Sequence, residues 1–214
     1  MNQGKESKTV VKFVSKKEYA DALCKGYLRF STTKKFRDME ENEGEKCRSD
    51  INEGLIEAVA KTEGYIEFDN EKIHVNIDDL KIYEDCQIFS MYIVKFDDET
   101  ALMSPINSEV ENFGEWAVLI RNPANFISKI KYYGKRHQKF EIEANEVIYD
   151  GKPGLFHKSP EYSYQNEYRI IIRPKIKDEH FIMRIRNIED ICSVVKTEEL
   201  PQKLKSRMIG TYEK

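Results

Sequence analysis

Two short segments carry residue types that can do chemistry. The first is Tyr162-Ser163-Tyr164-Gln165-Asn166-Glu167-Tyr168-Arg169. A polar Gln-x-Glu stands directly ahead of an apolar run and directly after aromatic residues. A carboxylate at the mouth of a strand is placed to meet a ligand in a cleft. The plainer alternative is a strand edge where a neighbouring Lys or Arg bridges Glu167. The second segment is Arg48-Ser49-Asp50-Ile51-Asn52-Glu53-Gly54. Two carboxylates three residues apart, Asp50 and Glu53, beside Arg48 can hold a ribose or a cation. The plainer alternative is a turn that launches the next strand, with Arg48 paired to one acid, since surface ion pairs are common and weak. A third stretch is basic: Lys129, Lys131, Lys135, Arg136 and Lys139 interleave with Tyr132, Tyr133 and Phe140. Cations mixed with aromatics suit single-stranded RNA; a solvated, Lys-rich loop after a helix has the same composition.

Several chemistries are excluded. The chain lacks the phosphate-binding GxxxxGK[ST] loop, the GxGxxG fingerprint, HExxH and GxSxG. Cys24, Cys47, Cys86 and Cys192 form no CxxC pair, and His74, His137, His157 and His180 are as widely spaced. Zinc sites announce themselves by close ligand pairs, so no structural metal is expected. Asp50 and Glu53 as a metal-dependent nuclease pair lack the further acid–Lys spacing such a site needs. The net charge of −3 gives no global basic field. The N-terminus has no apolar core of a signal peptide, and no stretch is long and apolar enough for a membrane span. A cytoplasmic chain with reduced cysteines is the expectation.

The elements that must position these residues follow from periodicity. With 12 Tyr and 11 Phe among 214 residues, the chain can bury a core. Residues 1–7 read as a disordered N-terminus and 8–214 as one α+β domain. Thr9 to Val14 is a strand of β-branched and aromatic residues. Ser15 to Glu18 reads as a capping box opening a helix that buries Tyr19, Ala22 and Leu23 and stops at Gly26. Tyr27 to Ser31 is a second strand, and Thr32 to Asp38 a helical turn. Met39 to Asn52 reads as a long charged loop. Leu55 to Lys61, Tyr65 to Phe68 and Lys72 to Ile77 form a meander with a turn at Asp69-Asn70. Gln87 to Phe96 is the most strand-like stretch and reads as central. Trp116 to Arg121 is a strand, followed by a helix over Ala124 to Lys131 capped by Asn122 with Pro123 in its first turn. Phe140 to Tyr149 carries strand patterning. Tyr168 to Arg173 and His180 to Ile185 read as paired strands, Ile191 to Val195 as a last strand and Glu198 to Lys205 as a helix. Strands outnumber helices and adjoin in sequence, which predicts largely antiparallel sheets.

Short motifs spread over most of the chain resemble the abortive-infection (AbiGi-like) families of bacterial and phage proteins. They are Lys12-Phe13, Gly26-Tyr27-Leu28-Arg29-Phe30-Ser31, Phe36-Arg37, Arg48 to Gly54, and Lys158 to Arg169. The last of these also looks like the (Q/E)-x-E turn of ADP-ribosyltransferases. That resemblance implies a split antiparallel sheet gripping NAD in a cleft, with ADP-ribose passed to a macromolecular acceptor in a toxin or phage-defence setting. Glu167 would be the catalytic Glu and Gln165 the residue positioning the acceptor. Lys12 would contact NAD from the opening strand, Ser90 or Tyr92 from a middle strand, and Phe13 or Tyr162 would sandwich nicotinamide. Arg48, Asp50 and Glu53 would contact substrate. The chain departs from the pattern at Lys12, where Arg or His is expected; Lys is a point charge without the guanidinium fork. The alternative on the same scaffold is a non-catalytic binding protein: an antitoxin, an inhibitor or an accessory that contacts nucleic acid.

Overall fold

A computed structural model of the chain describes residues 9–43, 50–68, 71–96, 106–138, 140–173 and 179–209. Its strands are β1 (Thr9–Val14), β2 (Tyr27–Thr32), β3 (Leu55–Phe68), β4 (Glu71–Tyr83), β5 (Gln87–Val94), β6 (Trp116–Ile120), β7 (Glu141–Glu146), β8 (Glu167–Arg173), β9 (His180–Arg184) and β10 (Cys192–Lys196). Its helices are α1 (Lys17–Cys24), α2 (Thr33–Glu43), α3 (Pro123–Tyr133) and α4 (Leu200–Ile209). The fold is mixed α+β, and its named strands all pair antiparallel. Among the described residues no helix is long and apolar enough to cross a membrane.

β5 organises the main sheet. Along one edge it pairs with β8 from Gln87↔Ile172 to Tyr92↔Glu167. The other edge is shared. β1 takes the far end, with register Thr9↔Val94 to Val11↔Tyr92, and β2 takes the near end at Ser31↔Ile88 and Thr32↔Gln87. Phe89, Ser90 and Met91 therefore lie where β1 and β2 part, and the sheet splits there. β6 and β10 extend the β1 side, β9 extends the β2 side, and β7 covers β8.

Side-chain alternation, the period-two rule of strands, sorts the two faces. Val10, Phe89, Met91, Ile93, Val118 and Ile170 pack into one cluster with Ala20, Leu23, Phe126 and Ile130 of α1 and α3. Val11, Phe13, Tyr92, Val94 and Leu119 face the opposite way, against Leu200 and Leu204 of α4. Ser90, Glu167 and Arg169 share this second face by register.

Several expectations are corrected. β8 and β9 are not a hairpin: β8 is buried along most of its length and takes a neighbour on each edge, β5 and β7, while β9 alternates buried and exposed residues and lies beside β2. Sheet neighbours are mostly distant in sequence; among the described residues only β3–β4 and β7–β8 are consecutive pairs. Helix α1 is capped at Lys16 without a side-chain bond, so the Ser15 capping box does not form. Its buried face is Ala20, Leu23 and Cys24, one residue on from expectation, which turns Tyr19 outward. The segment expected as a loop from Met39 is helical through Glu43, because α2 runs on past Asp38. The expected meander is a single long ribbon, β3 against β4, closing at Phe68↔Glu71. The basic stretch is helical rather than a loop, since α3 passes into a π turn over Gly134–Gln138. The Asn122 cap forms as expected, accepting from Asn125 N at 3.0 Å. The N-terminal segment, Cys47, Arg48, the Asp69-Asn70 turn and Lys139 lie outside the described residues.

Candidate active site

Where β1 and β2 diverge, a cavity of about 570 Å³ opens, within the size range of small-molecule and cofactor sites. Its floor is a line of polar contacts joining three strands. Lys12 Nζ reaches through the split to donate to Ser90 O at 2.7 Å, and it sits 4.7 Å from the Phe89 ring centroid. Ser90 Oγ donates to Glu167 Oε1.

Local sequence delivers Glu167 to this place. A 3₁₀ turn over Pro160–Gln165 ends at Asn166, whose φ of 37° is left-handed. Asn tolerates that conformation better than other non-glycine residues. Here its amide also donates to Ile93 O. The chain then enters β8 directly, with Glu167 as the first strand residue and its N–H donated to Tyr149 Oη at 2.8 Å.

Around Glu167 lies a buried charge network. Arg169 is 1% exposed. Its Nη1 and Nη2 bind Glu53 Oε1 and Oε2 at 2.7 and 3.0 Å. Its Nε and Nη2 reach Glu167 Oε1 and Oε2 at 2.8 and 3.3 Å, and Nη1 also donates to Leu155 O. Lys158 Nζ donates to Gln165 Oε1 at 2.7 Å and pairs with Glu167 Oε2 at 3.2 Å and Glu53 Oε2 at 3.5 Å. Burial pushes the Glu167 carboxyl up, but Arg169 and Lys158 together outweigh it and hold it well below the usual carboxylate range. For Lys158 and Arg169 burial acts downward, and the two glutamates reverse it, so both stay charged. The Tyr149 hydroxyl is held up chiefly by burial and secondarily by the Glu167 charge.

Glu53 arrives from outside the main sheet, at the base of the ribbon. Gly54 follows it with φ +81°, and a Cβ there would meet Glu84 O at 2.6 Å. Only glycine fits both the left-handed backbone and that close approach. Arg37 ties the same corner, donating to Glu53 O and pairing with Asp85 at 2.8 Å.

The structure brings Lys12, Phe13, Ser90, Tyr92, Gln165, Glu167 and Glu53 onto one cavity. Phe13 packs edge-on against Tyr92 and Phe113, with centroids 6.1 and 6.0 Å apart, to form an aromatic wall. Tyr162 is not on the lining; its ring lies 5.5 Å from Lys158 Nζ. Asp50 is buried off the lining and accepts from Asn52 N at 2.9 Å. Among the described residues no group of three His, Cys, Asp or Glu is arranged to hold a metal. Sequence reasoning missed Arg169, Lys158 and Tyr149. Arg169 had a signal, since it lies two residues beyond Glu167 on a strand and so on the same face. Tyr149, eighteen residues away at the end of a different segment, had none. Compared with known proteins, the chain matches no family model, no curated protein and no solved structure.

Proposed function

We propose that the cavity holds NAD and that the chain passes its ADP-ribose to a macromolecular acceptor. The observation that carries this reading is the hydrogen-bonded line Lys12–Ser90–Glu167, one residue each from an opening, a middle and a late strand, at the point where the sheet splits. In the reaction the bond between ribose C1′ and the nicotinamide nitrogen breaks, and the electron pair leaves with nicotinamide. Positive charge builds on the sugar, as in glycoside hydrolysis. An acceptor nucleophile forms the new bond to C1′ and loses its proton to solvent. Glu167, ionised because Arg169 and Lys158 hold its pKa down, places negative charge beside that sugar. Its Oε2 is the more loosely held oxygen and is the one to take a ribose hydroxyl. Phe13, Tyr92 and Phe113 offer apolar faces to the nicotinamide ring. Lys12 supplies a point charge toward a phosphate or hydroxyl. The AbiGi-like resemblance supports a toxin or phage-defence setting.

A second reading is favoured by one observation. The charge of Glu167 is matched inside the protein by Arg169 and Lys158, which is what a purely structural network would also show. On that reading the same cavity binds a ligand without turning it over. Incubation with labelled NAD and cell extract separates the two: transfer of label supports the enzyme, and saturable NAD binding without transfer supports the binding protein.

A further inference from the structure

The cavity does not end at the active site; one of its walls runs outward as the exposed face of β2 and β9. By register, Tyr27↔Arg184, Arg29↔Ile182 and Ser31↔His180 lie side by side on that face, while Leu28, Phe30 and Met183 point into the core. Tyr27, Arg29, Ser31, Ile182 and His180 line the cavity. Arg184 stacks over the Tyr27 ring, 5.2 Å from its centroid. Beyond Tyr27 lies a second hollow of about 540 Å³, lined by Lys25, Tyr27, Tyr133, Arg184, Arg186 and Asn187 among others. Through Tyr133 it adjoins the end of α3, where Arg136 of the following π turn stacks on Tyr132 and donates to its hydroxyl at 2.8 Å. Three acids beside it are engaged: Glu179 pairs with Lys35 at 3.0 Å, Asp190 with Lys129 at 3.6 Å, and Glu189 accepts from Asn187. A protein of net charge −3 thus gathers Lys25, Arg29, Arg184 and Arg186 along one strip, interleaved with tyrosines.

We propose that this strip is a track for single-stranded nucleic acid, which leads one end of the strand into the cavity. Cations tracking a phosphate backbone and aromatic faces on which bases stack are the two elements of single-strand binding. The strip supplies both on a rigid strand pair. A duplex would present phosphates but no free base faces to Tyr27 and Tyr133. An acidic peptide would use the cations and leave the tyrosines idle. As the identity of the acceptor this assignment rests on the transferase reading; as a binding site it stands without it.

The test is fluorescence anisotropy with a short labelled oligouridylate, its duplex form and an acidic phosphopeptide, alongside NAD binding measured on the same proteins. Wild type should prefer the single strand. Arg184 and Arg186 lie off the NAD cavity lining, so the double variant Arg184→Ala/Arg186→Ala should leave NAD binding intact. It should also flatten the dependence of log K on log salt by roughly 1.4, about 0.7 for each phosphate that the variant no longer neutralises. Tyr27→Ala should weaken oligouridylate binding roughly 5- to 150-fold, and Tyr27→Phe should restore it, because stacking needs the ring and not the hydroxyl. Equal binding of the duplex, preference for the phosphopeptide, no binding at all, or a double variant that binds like wild type would each overturn the track. Each of those outcomes can occur with NAD binding unchanged, so the failure of the track is distinguishable from failure of the NAD reading.

Discussion

Arg169 is the residue on which the site's charge balance depends. It contacts both Glu53 and Glu167 while almost wholly removed from water. Removing one partner of a buried ionic network leaves the others uncompensated, which typically costs about 3–5 kcal/mol. Arg169→Met should therefore destabilise the fold by about 4 kcal/mol in denaturant unfolding, far more than an exposed substitution such as Lys152→Ala. Acid should act on the same network. The folded pKa of Glu167 lies below its ordinary value of 4.5. Its contribution to stability is then fully present above that ordinary value and is lost as pH falls toward the folded one. Melting temperature should drop as pH falls below about 4.5, and the drop should be shallower in Glu167→Gln. Equal slopes in the two proteins would show that Glu167 is not the group being titrated. At this scale the sequence carries a signal for Arg169, two residues beyond Glu167 on a strand and so on the same face, although Arg169 was not among the expected site residues. It was silent where a partner arrives from a remote element, as with Tyr149 or the pairing of Glu53 with Arg169 across 116 residues.

Among elements, the ribbon of β3 and β4 stands apart, because the two strands pair only with each other among the described residues. Isolated two-stranded ribbons are marginal in water, so little of the body's stability can depend on it. Its base matters more: Gly54 O accepts from Glu84 N at 2.8 Å, and Leu55 O from Gly154 N at 2.7 Å, which fixes the corner carrying Glu53. Replacing residues 58–81 by a short turn should leave the melting transition nearly where it was, as followed by circular dichroism. Collapse of the fold would show that the ribbon packs on the body. The individual strands were legible because their patterns are strong: TVVKFV, QIFSMYIV and YRIIIR are all strands of the main sheet. Their partners were not. Sequence adjacency suggested β8 beside β9, but β8 lies between β5 and β7 and is buried along most of its length, while β9 pairs with β2.

For the whole molecule, the split between β1 and β2 turns a continuous sheet into a cleft with a charged floor, an aromatic wall and a basic outer face. Nothing in the periodicity of either strand announces the split, because it arises from two strands competing for one edge of β5. The measurement that tests the account most directly is transfer of label from radiolabelled NAD by wild type and by Glu167→Gln, with melting temperature recorded for both. Gln is nearly isosteric, so the packing should persist, while loss of the charge beside Arg169 and Lys158 should lower the melting temperature. Transfer should fall roughly 100- to 1,000-fold, the usual cost of losing one preorganised electrostatic group, while NAD affinity changes much less. A wild type that neither binds nor turns over NAD, or a Glu167→Gln that transfers label at the wild-type rate, would contradict it.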